Sequence, residues 1–157
     1  MKKSTVKKGD LVTVEIIDIG VDGDGIARYQ GFTLFIANAV PGDVVEAKIT
    51  EVKKTYGKGV VVSVLKPSPD RVASRCSAYD TCGGCQLQTL KYDAQLRFKQ
   101  KAVIDAIERI GKLDNVLIHP IMPATSPYLY RNRAQFPVGM DERDIVMGFF
   151  ERGSHII

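Results

Sequence analysis

The segment CSAYDTCGGCQLQ holds all three cysteines of the chain, Cys76, Cys82 and Cys85. Thiolates are soft ligands, suited to zinc, copper(I) or iron–sulfur clusters. A Cys-x2-Cys pair on a tight turn can face two sulfurs towards one centre. Gly83 and Gly84 between them tolerate φ > 0 and leave backbone N–H groups unshielded. Such N–H groups, aimed at anionic sulfur, tune the potential of a cluster. An odd number of cysteines in one place argues against a disulfide framework. Three readings remain. The cysteines could be plain buried thiols, since cysteine is often a small core residue. They could hold a structural zinc, which needs a fourth ligand, and His119 and His155 are the only histidines. Close clustering and the Gly-Gly pair favour the third: a polynuclear centre taking three irons on one loop, with a remote fourth ligand.

Two further constellations suit nucleic acid. Lys53-Lys54-Thr55-Tyr56-Gly57-Lys58 sets three lysines around one tyrosine in a turn region. Small barrels bind single strands through such loops, pairing phosphate attraction with stacking on a ring. The plain alternative is a solvated hairpin loop whose lysines protect a strand edge. In Tyr130-Arg131-Asn132-Arg133-Ala134-Gln135-Phe136, a strand would put Arg131, Arg133 and Gln135 on one face. Two such arginines stand about 7 Å apart, near the spacing of backbone phosphates. The alternative there is a solvated face on a half-buried hairpin. Val21-Asp22-Gly23-Asp24-Gly25 reads as a turn, because its aspartates would repel phosphate and Asp-Gly favours hairpins. His119 and His155 sit in expected loops with no partner that would make a catalytic triad or a metal pair.

The elements that must position these residues fall into two parts. Residues 1–66 read as all-β, with strands expected at Asp10–Asp18, Ile26–Tyr29, Thr33–Ala37, Asp43–Thr50 and Lys58–Leu65, punctuated by glycines and Pro41-Gly42. Five short strands suit a small barrel of the OB type that hides its edges by closing on itself. Of its aromatics Tyr29, Phe32 and Phe35, at least half are expected in the core. Pro67 and Pro69 end that unit and place a domain boundary there. Residues 67–157 read as a partial α+β domain. It comprises the cysteine loop, a helix over Leu90–Ile110 with Leu96, Val103, Ile107 and Ile110 on one face, and Gly111 as its stop. A proline-containing connection follows, then strands Tyr130–Val138 and Asp144–Phe150 about the turn Met140-Asp141-Glu142-Arg143. The chain stops at Ile157 straight after an apolar strand, which reads as a cut.

The chain has 157 residues, 45% hydrophobic and 25% charged, which suits a globular protein and excludes a disordered tail. No run reaches the ~18 apolar residues of a membrane span. The basic start MKKSTVKKGD is followed by an apolar stretch broken by Glu15 and Asp18, so no secretory signal is expected and a cytoplasmic location is. A net charge of +4 leans mildly towards nucleic acid.

Several segments together carry a resemblance. CSAYDTCGGCQLQ, the following YDAQLRFKQKAV and then YRNRAQFPVG are similar to the central region of the iron–sulfur RNA uracil-C5 methyltransferases. GDGIARYQGFTLFIANAVPGDVVEAKI resembles the TRAM domain, the small OB-like RNA-binding barrel at the N-terminus of those enzymes. The resemblance implies methyl transfer from S-adenosylmethionine to C5 of a uridine that is flipped out of its RNA. A catalytic cysteine adds to C6, and a general base later removes the C5 proton. It also implies a [4Fe–4S] cluster on four cysteines. Three match Cys76, Cys82 and Cys85, and the fourth is expected just past Ile157. A TRAM barrel joined to a cluster motif points to the ribosomal branch, hence to 23S rRNA as partner. The catalytic cysteine, the base and the S-adenosylmethionine site are expected on a C-terminal domain outside this chain. It therefore has no catalytic or cofactor-binding residue of its own and should be inactive alone. Its expected RNA contacts are Lys53, Lys54, Tyr56, Lys58, Arg131 and Arg133. The competing reading is a stand-alone RNA-binding module with a structural zinc.

Overall fold

The computed structural model describes residues 5–142 and 144–157; residues 1–4 of the basic start and Arg143 of the expected turn lie outside the described residues. Five strands form a closed barrel: β1 (Leu11–Ile19), β2 (Gly25–Tyr29), β3 (Phe32–Ala37), β4 (Val44–Val52) and β5 (Tyr56–Lys66). Their order around the barrel is β1-β2-β3-β5-β4, with β1 returning to β4. All neighbours are antiparallel except β3 and β5, which run parallel with Thr33 beside Tyr56 and Phe35 beside Lys58. The five expected strands are all present, each within about two residues of its expected ends.

Alternation explains the core. Phe32, Leu34 and Ile36 point inward along β3, while Thr33, Phe35 and Ala37 point out. Val12, Val14 and Ile16 do the same on β1 until the pairing with β2 shifts register between Ile16 and Asp18. That bulge lets Ile19 turn inward three residues after Ile16. Each such aliphatic side chain contributes roughly 1.5–3 kcal/mol on burial. Along β5 the inward positions include Gly57 and Gly59, where the barrel is tightest. A Cβ at Gly59 would stand 2.8 Å from the Lys48 carbonyl oxygen.

A second, smaller core joins the barrel to the chain beyond Lys66. Ile19 and Val40 at one end of the barrel pack with Leu90 and Ala94, and Leu87 and Phe98 lie against them. The Val72 amide donates to the Thr89 carbonyl and the Lys91 amide to that of Asp70, so two distant stretches run side by side. Helix α1 (Tyr92–Asp105) continues as a π-helical turn, α2 (Ala106–Ile110), closed by the Gly111 amide donating to the Ala106 carbonyl. Gly111 is the stop expected of it.

Two expectations need correction. The helix residues that pack on the barrel end are Ala94 and Phe98; of the expected face, Leu96 and Ile107 are half-buried elsewhere, while Val103 and Ile110 are exposed. Val103 is 50% and Ile110 81% exposed. The barrel end offers α1 its packing surface, and only the first turns reach it. The C-terminal strands are also short, reduced to β6 (Val138–Met140) and β7 (Ile145–Met147), with Val138 opposite Met147 and Met140 opposite Ile145. Residues 131–137 are irregular. Pro137 lacks an amide to continue the ladder. Among the described residues no helix is long and apolar enough to cross a membrane.

Candidate nucleic-acid interface and cysteine loop

The barrel wall formed by β2, β3 and β5 carries an outward row of side chains. Register places Arg28 beside Thr33 and Thr33 beside Tyr56, while Ile26 lies beside Phe35 and Phe35 beside Lys58. The Phe35 and Tyr56 rings meet edge to face with centroids 5.4 Å apart. Gly20 closes over Phe35, since a Cβ there would lie 3.3 Å from the ring. Arg28 and Lys58 are exposed on either side of the rings. Tyr56 and Lys58 therefore share a surface, but on strand β5 of the barrel wall rather than in the turn where the sequence reading set them. Arg28 and Phe35 belong to the same surface. The alternation in GIARYQGFTLFIA carried the signal for both: once Ala27, Leu34 and Ile36 are inside, Arg28 and Phe35 must be outside.

The other expected contacts fare differently. Lys53 and Lys54 are exposed in the β4–β5 loop, whose closing bond runs from the Lys53 amide to the Tyr56 carbonyl. Lys53 is engaged by Glu51 at 2.5 Å. The hydrogen bond to Glu51 holds its ammonium above the ordinary lysine value, and the same bond lowers the Glu51 carboxyl. Lys53 thus offers less free charge than a count of lysines implies. Arg131 and Arg133 are exposed but lie on irregular chain, so the alternating face drawn for them with Gln135 does not form.

The cysteine loop is held by its neighbours. The Cys82 amide donates to Ala78, and the Cys76 amide to Ser74 Oγ, which itself donates to Gln88 Oε1. Tyr79 is buried, and its hydroxyl donates to the Gln86 carbonyl at 2.8 Å. The chain end then lies along the loop. Gly83 donates to the Phe150 carbonyl at 2.9 Å, and the Arg152 amide to Thr81 at 2.8 Å. Arg152 reaches over the Tyr79 ring and donates to the Cys85 carbonyl at 2.8 Å. Gly83 and Gly84 serve this docking: a Cβ on Gly83 would come within 2.9 Å of the Phe150 oxygen, and one on Gly84 within 3.4 Å of the Phe149 ring.

The donor chemistry of this loop suits a soft metal, and the Gly84 amide points at Cys82 Sγ at 3.3 Å. The placement does not. Cys76 and Cys85 are exposed, Cys82 is half-buried, and all three are free thiols. Among the described residues, no three histidine, cysteine or acidic side chains converge as a metal ion would require. The three sulfurs as they stand make no metal cage.

Loop and barrel wall adjoin. A Cβ on Gly23, in the β1–β2 turn, would overlap the Gln86 side chain at 2.6 Å. Asp24 in that turn feels both Lys58 and Arg152, which lower its pKa, but burial is the stronger influence and raises it above the ordinary aspartate value.

Residues 5–62 match the family model of the TRAM domain. Over 156 residues the chain is 47% identical to an uncharacterized RNA methyltransferase of Halalkalibacterium halodurans, covering 99% of this chain and 34% of that protein. It is 40% identical over 152 residues to one of Bacillus cereus, covering 97% of this chain and 33% of the relative. The chain thus spans about a third of the length of the curated relatives it matches. Among solved structures, the tRNA (uracil-54, C5)-methyltransferase of Pyrococcus abyssi is 31% identical, with a TM-score of 0.40, covering 64% of this chain and 21% of that one. That score is too low to bear on fold or function. Residues 5–62, which match the TRAM model, build the barrel; a cysteine loop, a helix and a short hairpin follow, and the chain is similar over nearly its whole length to proteins named RNA methyltransferase.

Proposed function

We propose that this chain is the RNA-binding front part of an S-adenosylmethionine-dependent RNA uridine-C5 methyltransferase acting on 23S rRNA. One observation carries the reading: the TRAM barrel and the cysteine loop follow one another in a chain homologous, over 99% of its length, to a protein named RNA methyltransferase. The barrel's part is to bind and orient RNA. Its exposed wall combines cations with rings, the pairing that holds single strands regardless of sequence. S-adenosylmethionine supplies the methyl group in this reading and is held by a C-terminal domain of the longer protein, not by residues present here. The 157-residue chain then transfers no methyl group by itself.

Cys76, Cys82 and Cys85 as ligands of a [4Fe–4S] cluster belong to the same reading. What supports them is the motif and its glycines; the loop would have to draw its thiols together from their present positions. The second reading, a stand-alone RNA-binding module with structural zinc, uses the same thiols. Metal analysis of protein purified anaerobically separates the two, since iron with sulfide supports the first and zinc alone the second.

The functional test is methyl transfer from radiolabelled S-adenosylmethionine to ribosomal RNA. The complete gene product is expected to label C5 of a uridine in 23S rRNA, and the 157-residue chain to label nothing. A complete protein that methylates only protein, or a different RNA position, overturns the reading.

A further inference from the structure

The geometry points to a stacking platform for one unpaired nucleotide on the outer wall of β2, β3 and β5, formed by Tyr56 and Phe35 and bracketed by Arg28 and Lys58. This rests on the RNA-binding reading above and names the surface and the form of RNA it takes. The tip of the β4–β5 loop, where lysines are densest, is not the centre of the site.

Three observations carry it. First, the barrel interior is filled without these rings. Leu34, Ile36 and Ile49 are fully buried, whereas Phe35 and Tyr56 sit on the outer wall, partly covered by each other and their neighbours but not closed off from solvent. Their edge-to-face contact fixes the Tyr56 ring without needing a core position. Second, the residue between Arg28 and Tyr56 in the register is Thr33, which is small. Adjacent strands lie about 4.8 Å apart, so Arg28 and Tyr56 stand about 10 Å apart across Thr33, room for one base laid against the ring. Third, the cations are placed for a backbone. Lys58 follows Tyr56 by two residues on the same face, about 7 Å away, and Arg28 lies on the other side. Neither makes a salt bridge among the described residues, in contrast with Lys53 on Glu51.

A duplex cannot use this surface, because its bases are stacked on one another and their faces are not free. The partner is single-stranded or looped RNA. Stacking accepts any base, so the platform holds RNA without choosing its sequence.

The test is fluorescence anisotropy of the 157-residue chain with labelled single-stranded RNA of about 12 nucleotides, a length within the range that one OB barrel covers, and with a duplex of the same sequence. The unaltered chain is expected to bind the single strand more tightly than the duplex. Tyr56→Leu should weaken that binding about five- to hundred-fold with an unchanged salt slope. Tyr56→Phe, which keeps the ring, should bind as the unaltered chain does. Arg28→Gln should weaken binding and flatten the slope of log K against log salt by about 0.7. Both positions face outward, so the thermal midpoint should hold, and Tyr56→Phe checks the ring's role should the Leu variant prove unstable. If the chain binds single strands but Tyr56→Leu and Arg28→Gln bind them equally well, the platform is wrong and the RNA-binding reading stands. An equal loss in Tyr56→Phe and Tyr56→Leu also overturns stacking. If the unaltered chain binds neither RNA, both readings fall.

Discussion

Arg71 closes on Asp43 with two nitrogens: Nε donates to both carboxylate oxygens at 3.0 Å, and Nη2 donates to Oδ2 at 2.7 Å. Asp43 is wholly buried and also accepts the amides of Val40 and Ser68, each at 2.9 Å. Arg71 Nη2 further donates to the Asn38 carbonyl. Two of the partners that make this buried charge tolerable thus come from beyond Lys66, after the barrel's last strand.

Removing one member of such a pair leaves the other charge uncompensated. Arg71→Ala is therefore expected to cost about 3–5 kcal/mol of unfolding free energy in urea. Asp43→Ala should cost as much, because it also strands the Val40 and Ser68 amides. A loss under about 1 kcal/mol for both would mean that water replaces the clasp.

The same pair bears on the domain boundary. A piece ending at residue 66 should still show a cooperative thermal transition, but with a lower midpoint than a piece ending at residue 72, which restores Ser68 and Arg71. Equal midpoints would leave the boundary at Pro67, where the sequence places it.

Asp24 makes stability depend on pH. Burial raises its folded pKa above the unfolded value of 3.8, so the native state holds the proton more tightly. Ionisation therefore costs stability as pH rises from about 3.8 through the folded pKa, and the cost is fully present beyond it. Asp24→Asn should raise the melting temperature at pH 7, with the gain vanishing below pH 3.8. A gain of the same size at pH 3 would mean that Asn acts through something other than charge.

Gly83→Ala drives a methyl into the Phe150 carbonyl. The expected cost is about 1–3 kcal/mol, and it should fall locally. Hydrogen exchange of the Gly83 and Arg152 amides should speed up while barrel amides keep their protection. Uniform loss of protection would place the effect elsewhere.

Metal content and salt dependence give two further checks. Protein purified in air should carry little iron, because the thiols do not converge as the chain is folded; a full, air-stable [4Fe–4S] complement would contradict that. In RNA binding, Lys54→Ala should flatten the salt slope by about 0.7. Lys53→Ala should flatten it less, since Glu51 already engages that ammonium.

The barrel was legible because its code is local and periodic. Alternation along Phe32–Ala37 and glycine turns between short β-branched runs name both the strands and their inner faces. What the sequence hid depended on partners far along the chain. Arg71 carries no mark of a buried ion pair until the barrel is built and Asp43 is inside it. The helix was correctly expected, but its buried face was not. Apolar spacing favours Leu96, Val103 and Ile107, yet the surface offered to α1 is the small patch of Ile19 and Val40. Arg131 and Arg133 alternate as a strand would, and alternation is no substitute for a neighbouring strand to bond. The cysteine motif advertised its donors from the start; that Gly83 and Gly84 make room for Phe149 and Phe150 could be seen only with the chain end in place.

The parallel pairing of β3 with β5 gives the barrel a fixed order of assembly. Hairpins β1–β2, β2–β3 and β4–β5 can each form from neighbouring residues within microseconds. Closure cannot: Thr33 must wait for Tyr56, and Leu11 for Lys48. Such distant pairings place folding in the slower range of small domains, milliseconds to seconds. At a synthesis rate of about 5–20 residues per second, the chain emerging from a ribosome holds β1 to β3 as an open sheet whose β1 edge waits for β4 and whose β3 edge waits for β5. Arg71 leaves soon afterwards and locks Asp43 in place. The ribosome, whose RNA this barrel is proposed to read, is therefore also the first surface its unclosed strands meet.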